Sequence, residues 1–251
     1  MTVNTADLKI IWEKMPEPFI LEERPAANID QPILAAALRE ILEIAVLMLE
    51  GILVAPNMGI CATMDSKTVM KAPDLFYVRN VQPLPAPEVR RIYTPNLEVK
   101  EEIPAIVMEF LGATEGDEYS AKPTFPPGKF FFYERILRVP IYALFDLQGT
   151  LRVYQLDSSG YYKLQQPDAN NRYWIEGVGL FLGVWYGTKA ERTGYWLRWW
   201  DESGQMLLWG AEMVERERQE RAIAQQQAQQ ERERSQRLAA QLRAAGIEPE
   251  A

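Results

Sequence analysis

Residues 103–111 read IPAIVMEFL and residues 128–146 read GKFFFYERILRVPIYALFD, and the way these two stretches connect decides the fold. The first is nearly all apolar, as expected of a strand buried on both faces. In the second, Pro126 and Pro127 suit a helix start, and the spacing predicts a helix over Lys129–Arg138. Pro140 closes it, and Ile141–Asp146 resumes as a strand. A helix that links two buried strands is a crossover, so the strands are expected to lie parallel in one sheet.

Upstream, Asp30 can cap a helix whose apolar positions Ile33, Leu34, Ala37, Leu38, Ile41, Leu42, Ala45 and Met48 recur at helical spacing, with Gly51 as its stop. Ile52–Ala55 and Met58–Thr63 read as one hairpin. Leu75–Val78 reads as a strand, because aromatic and branched residues favour a pleated surface. Pro83, Pro85 and Pro87 mark a loop. Downstream, Leu151–Leu156 and Tyr161–Leu164 form a hairpin around Ser158-Ser159-Gly160, and short strands are expected near Gly179–Trp185 and Tyr195–Trp200.

The division that follows is an irregular arm over 1–30, an α/β (α+β) domain over 31–210 and a charged helical tail over 211–251. Glu, Arg, Gln and Ala dominate the tail, and pairs such as Glu217–Arg221 support it by roughly 0.3 kcal/mol each. Met213, Ile223, Leu238 and Leu242 are too scattered for a sustained coiled-coil seam. Two readings stay open for it: a solvated helix, or a coil that joins copies into a homo-oligomer.

Composition excludes more than it selects. The 251 residues are 47% hydrophobic and 25% charged, the balance of an ordinary globular protein. The apolar run Ile33–Val54 is broken by Arg39, Glu40, Glu43 and Glu50, charges that a spanning helix would carry into lipid, so no membrane partner is expected. No basic leader opens the sequence, and the lone Cys61 cannot form an internal disulfide, so a reducing, cytoplasmic setting is expected. There is no histidine, which removes Ser-His-Asp and Cys-His nucleophile systems and zinc sites built on imidazole. Hydrolytic chemistry must then run on carboxylates, lysine, tyrosine or an oxygen-bound metal, for which Mg²⁺ and Mn²⁺ are suited. Net charge is −8, of which the tail (8 acidic and 7 basic side chains in 211–251) explains little. A nucleic-acid enzyme with this charge needs a local basic groove or a metal.

Three side chains stand out. Asp74 follows Pro73 immediately before a strand, where a turn or capping aspartate is also common. Glu109 lies inside the most apolar strand, where a carboxylate is expensive unless paired, hydrogen-bonded or metal-bound; the plainer alternative is an exposed strand end paired with an arginine. Lys129 opens the crossover helix, and its plain alternative is a surface lysine. Together, two acids to hold a divalent ion and a cation to orient water are what metal-dependent phosphodiester hydrolysis requires. Adjacent strands can present Asp74 and Glu109 at one sheet edge, with the crossover helix returning Lys129 over it.

In KAPDLFYV (71–78), RRIYTPNLE (90–98), PAIVMEFLGATEGDEY (104–119), GKFFFYERILRVPIYALFD (128–146), WLRWWDESGQMLLWGAE (196–212) and RLAAQLRAAGIEPE (237–250), the chain resembles the restriction-endonuclease-like proteins of the PD-(D/E)XK fold that are expanded in photosynthetic bacteria. The resemblance runs from about residue 30 to the C-terminus. It implies a mixed central sheet flanked by helices, a Mg²⁺-dependent (or Mn²⁺-dependent) DNA endonuclease, Asp74 as the first metal-binding acid and Glu109 as the acid of the E-x-K element. The lysine of that element would stand two residues on, where alternation returns to the same strand face, but the residue there is Leu111. Members of the group supply a lysine from the following helix instead, and Lys129 matches it. After the glutamate strand the chain reads Leu111-Gly112-Ala113-Thr114-Glu115, without the family's usual serine, and Glu115, Asp117 and Lys122 are secondary candidates.

Trp196, Trp199 and Trp200 suit base stacking, or a hydrophobic cap on the sheet or an oligomer contact. Glu40 and Glu43 either reach the site from the first helix or are solvated or salt-bridged. The alternative to the nuclease is a catalytically silent protein of the same fold, a binding or assembly module acting through its tail. Glycoside hydrolysis on two carboxylates is compatible with having no histidine but has no other support.

Overall fold

The computed structural model describes residues 10–11, 30–45, 51–85, 87–95, 102–112 and 117–245. A short strand β1 (Ile10–Ile11) precedes helix α1 (Asp30–Ile44). Strands β2 (Leu53–Pro56), β3 (Gly59–Met64), β4 (Lys67–Lys71) and β5 (Leu75–Val78) follow. Next come β6 (Ile92–Tyr93) and β7 (Ile106–Leu111). Helix α2 opens over Lys129–Phe131 and widens into a π-helical stretch, Phe132–Leu137, before β8 (Ile141–Asp146). Strands β9 (Leu151–Leu156), β10 (Tyr162–Leu164), β11 (Arg172–Ile175), β12 (Leu180–Lys189) and β13 (Arg192–Trp200) lead to helix α3 (Gly210–Ala244). The chain divides into two compact units, Met1–Leu207 and Leu208–Ala251.

The protein is mixed α/β. A six-stranded sheet has the order β10-β9-β8-β7-β5-β2, and two smaller sheets are built from β1, β3, β4 and β6 and from β11, β12 and β13. The crossover expectation holds: β7 and β8 are parallel, from Ile106 opposite Ile141 to Leu111 opposite Asp146. The remaining pairs in that sheet are antiparallel. All six side chains of β7 are buried, and five of them are apolar. Each such side chain contributes about 1.5–3 kcal/mol relative to exposure, which fixes the register firmly. One face of the sheet (Phe76, Val107, Leu111, Tyr142 and Leu144) packs in a common core with Phe131, Phe132, Tyr133, Ile136 and Leu137 from the crossover helix. Gln31 of α1 donates to the carbonyl of Phe110 on β7. Ion pairs Asp30–Arg192 (3.0 Å) and Glu40–Lys189 (2.5 Å) fasten α1 to the β12–β13 hairpin.

Several expectations are corrected. β2 and β3 are not a hairpin. β2 pairs with β5 in the large sheet, while β3 pairs with β4 in another. The chain changes sheet at Asn57, which adopts φ of +48°. The true hairpin turns at Asp65-Ser66, both with positive φ, which is what a tight two-residue connection demands. α1 ends at Ile44, and the Met48 and Gly51 ends of the expected helix lie, respectively, outside the described residues and beyond the helix. Ile33, expected on its core face, is exposed. Asp30 opens α1 as its first residue. The crossover helix is α-helical for only its first residues, and Arg138, with φ of +56°, ends it. The arm over 1–30 falls mostly outside the described residues, although Ile10–Ile11 form a strand against β3. In the second unit α3 has no buried side chain along its 35 residues. No helix among the described residues is long and apolar enough to cross a membrane.

Candidate active site

β5 and β7 pair with Leu75 opposite Met108, so extending the register by one residue sets Asp74 opposite Glu109. Directly opposed residues in an antiparallel pair have Cβ atoms about 5 Å apart on the same face. Pro73 and the bend at Asp74 end the strand there, freeing the carboxylate to turn back. Its Oδ2 accepts the Phe110 N–H at 2.6 Å, and its carbonyl accepts the N–H of Asn57 at 3.2 Å. Glu109 is 1% exposed and lies on the face covered by the crossover helix. That face delivers its partners. Lys129 Nζ lies 2.8 Å from Glu109 Oε2, and the Tyr133 hydroxyl donates to Oε1 at 3.1 Å. Residues four apart share a helix face, so one turn of α2 grips both oxygens of a single carboxylate. Lys129 Nζ also stands 3.4 Å from Glu118 Oε1.

The turn before α2 makes this placement possible. The carbonyl of Asp117 accepts the Lys129 N–H at 3.2 Å and that of Ser120 accepts the Phe131 N–H at 3.3 Å, so the turn serves the unpaired donors of the helix start. Tyr142, on β8, donates to the Glu118 carbonyl at 2.9 Å.

Burial dominates the electrostatics. It pushes the Glu109 carboxyl up to about 8; the Lys129 cation opposes the shift, and the Asp74 charge adds to it. Asp74 is raised by the same cause, partly offset by its bond from the Phe110 N–H. For Lys129, burial works to lower the value, but Glu109, Glu118 and Asp74 together outweigh it and hold the ammonium above its ordinary range. Lys129 is therefore a fixed cation, not a base. The hydroxyls of Tyr133 and Tyr142 are well above their usual range through burial, so they remain hydrogen-bond donors.

Among the described residues no three acidic or sulfur side chains converge as a ready metal cage. Asp74 and Glu109 are two carboxylates at this end of the sheet, and carboxylate oxygens are the donor type that Mg²⁺ takes, commonly one or two with several waters kept. Comparison with protein-family models, curated proteins and solved structures finds no match. The site's chemistry rests on its geometry.

All three leading candidates, Asp74, Glu109 and Lys129, are brought together. The secondary ones are not. Asp117 pairs with Lys71 at 2.5 Å, Lys122 contributes its carbonyl to the Gly128 N–H, and Glu115 lies outside the described residues. Glu40 pairs with Lys189 and Glu43 with Arg39, the salt-bridged alternative. Trp196, Trp199 and Trp200 are buried and offer no ring face for base stacking. Glu118 and Tyr133 escaped the sequence reading. Tyr133 was discoverable from its i,i+4 spacing to Lys129; Glu118 had no local signal, since a turn decides where it points.

Proposed function

We propose that this chain is a Mg²⁺-dependent or Mn²⁺-dependent DNA endonuclease of the restriction-endonuclease-like class, working in the cytoplasm. The observation that carries the reading is the convergence of Asp74, just before β5, with Glu109 of β7 and Lys129 of α2 at one end of a mixed sheet. The mixed sheet has one parallel crossover and packs one face against the crossover helix, which supports a PD-(D/E)XK-like core.

Asp74 and Glu109 would hold the ion. When bound, a divalent ion polarises a phosphoryl oxygen and lowers the pKa of a bound water. The chain's own contribution is preorganisation. The Phe110 N–H fixes one carboxylate and Tyr133 the other. The Lys129 ammonium sets positive charge beside both acids, where negative charge grows on a phosphodiester under attack. Arg152 reaches the adjacent turn at the Tyr119 hydroxyl and is a cation beside the site that a phosphate could meet, while the charge of Lys71 is taken up there by Asp117.

Purified chain incubated with plasmid and Mg²⁺ or Mn²⁺ tests this directly. Cleavage is expected from the wild type and a loss of at least about a hundredfold from Asp74→Ala. Equal cutting by both, or none by the wild type across supercoiled, linear and single-stranded DNA, overturns it.

A second reading has its own observations: α3 buries none of its side chains, and Leu111 stands where the E-x-K element has its lysine. On it the chain is a silent binding or assembly module acting through the tail. Mn²⁺ titration discriminates, since ion binding that is lost in Glu109→Ala favours catalysis. Loss of self-association on deleting the tail favours assembly.

A further inference from the structure

Glu118 is tied to Lys129 through the backbone as well as through its carboxylate. The preceding carbonyl, that of Asp117, accepts the Lys129 N–H, and the Ser120 carbonyl accepts the Phe131 N–H. Gly128 packs so near Ser120 that a Cβ built on it would meet the Ser120 carbonyl oxygen at 2.1 Å. The turn over residues 117–120 and the first turn of α2 therefore form one framework, and the Glu118 carboxylate travels with Lys129. Glu109 belongs to a different framework, the β5–β7 pair, together with Asp74.

These two attachments differ in what a bound cation would do to them. Glu109 is 2% exposed at its side chain and Glu118 is 22% exposed. An ion seated on Asp74 and Glu109 would draw on the charge that now holds Lys129 at 2.8 Å. Lysine has a long, flexible stem and a strongly hydrated head, so an ammonium that loses its anion swings toward water. At 3.4 Å from Nζ, Glu118 is the nearby anion outside the Asp74–Glu109 pair.

We infer that Glu118 is the positioning residue of Lys129, the second anion that keeps its ammonium over the site once the charge of Glu109 is engaged by a cation. This role rests on the nuclease reading for its purpose, but the hold itself is a property of the framework and can be tested without cleavage.

The test replaces Glu109 by its neutral isostere, which removes its charge without any metal. Acetylation of Lys129 by acetic anhydride at one fixed pH is followed by mass spectrometry in Glu109→Gln and in Glu109→Gln/Glu118→Gln, both checked for native circular dichroism. The double variant is expected to react several-fold faster; equal rates overturn the inference. Should Glu109→Gln not fold, wild type and Glu118→Gln are compared, with a smaller increase expected and equality again decisive against it. In DNA cleavage, Glu118→Ala is expected to lower the single-turnover rate about 10–100-fold, with KM and Mn²⁺ affinity nearly unchanged and Glu118→Asp restoring part of the rate. A rate fall matched by lost Mn²⁺ affinity makes Glu118 a ligand and also overturns the positioning role. Failure of the wild type to cut DNA sinks the nuclease reading and leaves the labelling comparison to decide on Glu118.

Discussion

Tyr133 donates its hydroxyl hydrogen to Glu109 Oε1 across 3.1 Å, in a pocket where both groups are sealed from water. The other oxygen is taken by Lys129. A lone carboxylate so placed would cost several kcal/mol, and two donors from one helical turn make it tolerable. The bond also leaves the carboxyl plane little freedom. Tyr133→Phe strands one carboxyl oxygen, so the chain is expected to lose about 1–3 kcal/mol of unfolding free energy in urea. An unchanged midpoint would show that the bond contributes nothing.

Proton and metal compete for Glu109. With its carboxyl pushed up to about 8 by burial, Glu109 gives a proton and an ion a shared claim across the neutral range. Mn²⁺ affinity is expected to rise about tenfold per pH unit between pH 6 and 8 and to level off above. Calorimetry at pH 7 in buffers of different ionisation enthalpy should register close to one proton released per ion. An affinity that stays flat across this window contradicts Glu109 as ligand.

Removing the cation changes the pH profile of stability. A carboxyl raised in the folded state keeps its proton where the unfolded chain has released it, so stability falls as pH climbs from the ordinary glutamate range to about 8 and then levels off. Lys129→Met removes the main opposing influence, raising the carboxyl further and extending the fall to higher pH. Unfolding free energies of variant and wild type should therefore differ by about 1 kcal/mol more at pH 9 than at pH 7. A constant difference would place Glu109 and Lys129 in separate electrostatic environments.

Gly128→Ala forces a methyl into the Ser120 carbonyl, 2.1 Å away. Overpacking of this kind should destabilise by about 1–3 kcal/mol, read as a lower melting temperature, and should loosen the turn that carries Glu118. Wild-type stability in this variant would mean that the turn and helix are not locked together.

The parts of the site legible in the sequence were those fixed by short-range chemistry. The apolar run around Glu109 announced a strand buried on both faces, and prolines on either side of α2 announced the crossover. Right partners for β2 and β3 were not legible, because adjacent apolar runs look alike whether they pair with each other or with strands farther on. The decisive signal was conformational: Asp65 and Ser66 both adopt positive φ, a demand that no residue type there advertises as glycine would. β4, with its KTVMK alternation, and β11 were missed for the same reason, being short strands defined by their neighbours. Glu118 was missed because a turn, not a periodic element, sets its direction.

The parallel pairing of β7 with β8 has a consequence for the order of events during synthesis. Asp74 and Glu109 can meet as soon as β5 finds β7, but Lys129 comes to rest only when the chain doubles back and β8 docks alongside. A parallel partner cannot be reached by a tight turn, so the whole crossover must close before β8 gains any contact with β7. A nascent chain thus carries its acids and its cation apart, and whatever chemistry they perform together begins only after the last rung has closed.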